Sequence, residues 1–102
     1  MAATRIAIVG HRYHGLFTDN SLDSSIEWVE PDKRDAVRLV QRIRHRHIDC
    51  VLLIQADLSH GISLPILTAC RLTGATFTVC EKRSQTQIRS ALDTLDTQRK
   101  ER

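Results

Sequence analysis

Apolar residues recur along the chain in two rhythms. Four short segments have strand character. Residues 4–10, TRIAIVG, are mostly apolar and end in a glycine. Residues 25–30, SIEWVE, alternate, with Ile26, Trp28 and Glu30 set against Ser25, Glu27 and Val29. Residues 49–56, DCVLLIQA, are nearly all apolar, and residues 75–81, ATFTVCE, are rich in β-branched side chains. Period-two and β-branched runs of this length predict strands. The unbroken apolar stretch from Cys50 to Ile54 predicts a central strand covered on both faces. A period near 3.6 fills the intervals. Residues 31–47 carry Ala36, Val37, Val40 and Ile43 at helical spacing,. Pro31 suits the first turn, Asp32 and Asp35 match the positive end of the dipole, and Arg42, Arg44 and Arg46 match its negative end. Residues 62–73 read as a mostly apolar helix stopped by Gly74,. Because proline is tolerated only in the first turn, Pro65 predicts a start near Ser63 or shortly before. Ser84 and Gln87 form a capping box for a last helix whose stripe is Ile88, Ala91, Leu92 and Leu95,.

The order β, β, α, β, α, β, α implies a parallel sheet between helical layers. The predicted fold is a small flavodoxin- or Rossmann-like three-layer α/β sandwich with a four-stranded sheet in the order 2-1-3-4. One domain spans residues 1–102, with the polar residues 97–102 expected to fray. The stretch 11–24, HRYHGLFTDNSLDS, stands where a regular first crossover helix is expected.

Composition narrows the classes. The chain has 102 residues, 41% hydrophobic and 26% charged, which suits one folded domain. No apolar run approaches the roughly 20 residues of a membrane span, and the first residues lack a secretion signal, so a cytoplasmic protein without membrane contact is expected. Three cysteines, Cys50, Cys70 and Cys80, do not make a disulfide framework,. Cys50 and Cys70 are expected to be inert core residues. The formal charge of +3 is mild. Arg38, Arg42, Arg44, His45, Arg46 and His47 make one helix basic, but no aromatic residues interleave and no recognition motif matches. They are assigned to a solvated, dipole-complementing face, and nucleic acid is not an expected partner.

Five histidines are the unusual number. Open α/β sheets bind ligands outside the carboxyl ends of their strands. Here the first strand runs out into His11, Arg12 and His14, the third into Ser59-His60-Gly61, and the fourth into Lys82-Arg83. Three histidines therefore gather at one edge, while His45 and His47 belong to the other. Imidazole is the commonest protein ligand of transition metals, and a porphyrin asks for an axial ligand, an apolar slot and cations. His14 and His60 are the candidate iron ligands, with His11, Arg12, Leu16 and Phe17 as the other cofactor-binding candidates. His14 leads because Leu16 and Phe17 follow it. His60 stands at a helix start whose dipole favours a neutral ring. Zinc fits less well, since no C-x-x-C pair exists. Gly10 and Gly15 have phosphate-loop spacing, but Leu16-Phe17 replaces the Lys-Ser/Thr pair. No nucleophile elbow appears, so an enzyme is not the favoured reading.

The segment DCVLLIQADLSHGISLPILTACRLTGATFTVCEKRSQTQIRSAL resembles a small bacterial family catalogued as domain of unknown function 2325. A buried strand ends in Asp57-x-Ser59-His60, a helix ends in Gly74, and Arg83-Ser84 opens a helix with Ile88 and Ala91-Leu92. The strand IAIVGHR fits too, although His11 replaces a second glycine common in the family. The resemblance implies a homodimeric b-type haem protein that binds a diatomic gas such as oxygen. The size of the chain points the same way, since so small a domain cannot enclose a porphyrin and keep its core. The alternative is a non-enzymatic regulatory α/β module, without haem, that binds a phosphate-bearing ligand or a partner protein.

Overall fold

In a computed structural model, residues 4–11, 24–81 and 85–100 are described. They form β1 (Thr4–Val9), β2 (Ser24–Val29), α1 (Lys33–Arg44), β3 (Cys50–Ile54), a 3-10 turn (Gln55–Asp57), α2 (His60–Thr73), β4 (Thr76–Cys80) and α3 (Gln85–Lys100). The four strands make one parallel sheet in the order β2-β1-β3-β4. Ile8 pairs with Trp28 on one side and with Leu52 on the other, and Leu52 in turn pairs with Thr78.

Both faces of the sheet are covered because β3 is apolar at every position, and all five of its residues are buried. Val51 and Leu53 point to a layer built from α1 and α2, where Ala36, Leu39 and Ile43 meet Ile66, Ala69 and Cys70. Cys50, Leu52 and Ile54 point to the other layer, where Ile88, Leu92 and Leu95 of α3 pack with Ile6, Ile8 and Cys80. All three cysteines are free and buried. Burial pushes the Cys70 thiol up to about 11, with the neighbouring Cys50 adding to the shift,.

Local details depart from the sequence expectations. In α1 the N-cap is Asp32, whose carboxylate accepts the Asp35 amide at 2.8 Å. Pro31 therefore precedes the cap and lies outside the first turn. Val37 is 51% exposed, since the buried stripe runs through Ala36, Leu39 and Ile43 and a residue one step further is rotated about 100° away. The third strand stops at Ile54, and Gln55–Asp57 coil into the 3-10 turn. Helix α2 starts at His60, earlier than expected, and runs through Pro65. The intrahelical bond that proline removes would have ended on the carbonyl of Gly61. Both residues are exposed, so the helix continues past the loss. The cap residue Ser84 lies outside the described residues. The amide carbonyl of Gln87 accepts the Cys80 thiol at 3.7 Å. Helix α3 continues to Lys100, with residues 97–100 of the expected tail inside it.

Candidate functional site at the carboxyl edge of the sheet

Because the sheet is parallel, the carboxyl ends of all four strands lie along one edge. The end of β1 is held there from two sides. The Gly10 amide donates to the Val29 carbonyl of β2 at 3.0 Å. The His11 amide donates to Oδ2 of Asp57 at 3.0 Å. Asp57 reaches this position because the 3-10 turn, closed by the Leu58 amide donating to the Gln55 carbonyl, folds the chain back after β3. The approach is close. A β-carbon on Gly10 would stand 2.9 Å from Cδ1 of Ile54 and 3.0 Å from Oδ2 of Asp57. Glycine is required here for space.

The clamp presents His11 outward. Its imidazole is exposed, with Nδ1 3.7 Å from Oε2 of Glu30, the residue after β2. At that distance the carboxylate lies beside the ring without a hydrogen bond to it,. His60 enters from the neighbouring strand, as the first residue of α2 after the N-cap Ser59, and its side chain is exposed. Leu58 and Ile62 flank it and pack half-buried against the core. His11 and His60 thus both stand at the predicted edge. His14, Arg12, Leu16, Phe17, Lys82 and Arg83 lie outside the described residues. His45 and His47 fall at the opposite, amino edge with ring centroids 6.0 Å apart, close to Arg5, whose guanidinium donates to the His47 carbonyl at 3.5 Å.

Among the described residues, no group of three or more His, Cys, Asp or Glu side chains is gathered as a metal cage. A porphyrin brings four nitrogens of its own and asks the protein for one or two axial imidazoles. In kind, the exposed imidazoles of His11 and His60 meet that requirement. A cleft of about 210 Å³ lies elsewhere, at the amino edge, lined by residues that include Arg46, Asp49, Thr73 and Gly74. Cys80 is buried in the core beside α3, which suits a small hydrophobe. Two residues of the edge gave weak signals in the sequence. Asp57 follows one strand and Glu30 another, and only the folded geometry shows Asp57 holding the His11 amide and Glu30 beside its ring. Compared with known proteins, the chain matches no family model, no curated protein and no solved structure.

Proposed function

We propose that the carboxyl edge of the sheet holds a b-type haem through an imidazole ligand, and that the protein binds a diatomic gas such as oxygen rather than catalysing a reaction. The observation that supports this reading is the placement of His11 and His60. Both are exposed imidazoles, carried at the ends of adjacent strands that Asp57 fastens together. In this reading His14 or His60 is the axial ligand, and His11, Arg12, Leu16 and Phe17 line the group. Haem, when bound, supplies an iron centre with affinity for the gas. The protein would contribute the imidazole and the apolar cover. The likeness to domain of unknown function 2325 supports the same reading through its residues.

A second copy of the chain completes the cover. Apart from the buried Cys70 thiol, the 14 residues of α2 include only two ionisable side chains, His60 and Arg71. On its outer side Leu64 is 56% and Leu72 75% exposed. A two-fold axis sets one surface against itself, and a helix nearly free of charge meets its own copy without repulsion. Because α2 begins at His60, that contact lies next to the proposed ligand.

Titration of the purified protein with haemin, followed by its absorption spectrum, tests the reading. The expected result is a saturable Soret band at one haem per chain, with distinct ferrous and ferrous-CO spectra. His14→Ala or His60→Ala is expected to weaken or abolish the band, while His45→Ala and His47→Ala leave it unchanged. A protein that takes up no haem refutes the reading in favour of the regulatory module. Loss of the band in the His45 or His47 variant alone refutes the site.

A further inference from the structure

The outer surface of α1 carries cations that its own helix does not need. Lys33, Arg34, Arg38 and Arg44 are all exposed, on the same side as Val37 and Gln41. Arg42 and Arg44 complement the negative end of the helix dipole. Lys33 and Arg34 stand at the positive end, where a cation is unfavourable. Arg34 and Arg38 are four residues apart, a like-charge spacing that costs about 0.2–0.5 kcal/mol. The one ion pair that α1 makes among the described residues joins Arg42 to Glu27 of β2 at 2.6 Å. It leaves the outer cations unneutralised.

The end of the helix extends the pattern. Its reversal is a Schellman turn, in which the Arg46 amide donates to the Ile43 carbonyl and the His47 amide to the Arg42 carbonyl. The residue at the left-handed position of this turn is Arg46, at φ 62. Glycine is the usual occupant of that position. An L side chain there is strained. Cations at the wrong end of a dipole, a like-charge pair and an arginine in a glycine's place all cost stability, and Lys33, Arg34, Arg38 and Arg44 share one positive face of α1.

Against the expectation from motif and composition, we propose that this surface binds the phosphate backbone of duplex nucleic acid without reading its bases. At 1.5 Å per residue, the helix from Lys33 to Arg44 is about 16 Å long,. Phosphates on one strand of a duplex rise about 3.4 Å apart along its axis, so the stretch spans several of them. No aromatic residue lies on the exposed face of α1 to stack an unpaired base, which favours a duplex over a single strand. The surface runs along the outer side of α1, from the carboxyl edge at Lys33 to the amino edge at Arg44, and the inference does not depend on haem.

Fluorescence anisotropy of the full chain with a labelled duplex DNA of about 20 base pairs, repeated with a second duplex of unrelated sequence, provides the test. With about four phosphates engaged, log affinity is expected to fall with log salt at a slope near −4, equally for both duplexes. The triple variant Lys33→Gln, Arg34→Gln, Arg38→Gln is expected to bind at least about tenfold more weakly and to lose most of that slope. Arg71→Gln with Arg89→Gln, which removes two cations from other helices, is expected to bind like the parent. Arg46→Gly is expected to raise the melting temperature while weakening binding a few-fold. Four results would overturn the proposal: no binding in low salt, unchanged binding by the triple variant, a clear preference for one duplex, or binding only to anionic phospholipid vesicles.

Discussion

Gly10 shows how one missing side chain sets the geometry of the carboxyl edge. Its backbone lies where a β-carbon would stand 2.9 Å from Ile54 and 3.0 Å from the Asp57 carboxylate. Gly10→Ala is expected to push Asp57 away from the His11 amide and to lower stability by about 1–3 kcal/mol. A lower urea midpoint, together with faster hydrogen exchange at the His11 amide, would confirm it. Cys70 makes a prediction of a different kind. Its folded pKa is about 11 against an ordinary value of 9.0, so between these values the folded chain holds a proton that the unfolded chain has lost. Stability is therefore fully present below about pH 9 and declines as pH rises toward 11, by at most 2–3 kcal/mol or so. Urea midpoints measured across that range should fall in the parent and fall less in Cys70→Ala. The same burial predicts that a thiol reagent labels Cys50 and Cys70 only as fast as the chain opens.

At the scale of elements, α2 differs from the helices around it. Pro65 sits inside it and deprives the Gly61 carbonyl of its partner,. Pro65→Ala is expected to raise stability by about 1–3 kcal/mol, read as a higher urea midpoint with an unchanged slope. The strands and their order were legible in the sequence because periodicity and sheet cover are coupled. A run such as Cys50–Ile54 has only one place in a parallel sheet, the middle. Boundaries were harder to read. Nothing in the local pattern separates Val37 from the buried stripe, and proline statistics argue against the start of α2 at His60. At the candidate site, the sequence placed His11 and His60 on one edge because strand ends converge there. It did not reveal the Asp57 clamp, which depends on the 3-10 turn after β3, or Glu30, which the pairing of β1 with β2 sets beside His11.

The whole molecule is asymmetric about its sheet. Helices α1 and α2 pack against each other on one face, and among the described residues α3 is the helix that packs on the other, against β4 and β3. Removing buried volume beneath the helix pair by Leu53→Ala, or beneath α3 by Leu52→Ala, is expected to cost about 2–5 kcal/mol in either case. Urea denaturation of the two variants would measure it. The strand order adds a consequence for the growing chain. Strand β1 is made before the strands that flank it, yet it ends between β2 and β3. Until Cys50–Ile54 has left the ribosome, the nascent chain carries Ile6 and Ile8 on a strand with an open edge and no α3 beneath it. Those residues form a hydrophobic segment that a chaperone would recognise in the unfinished polypeptide and lose in the finished one.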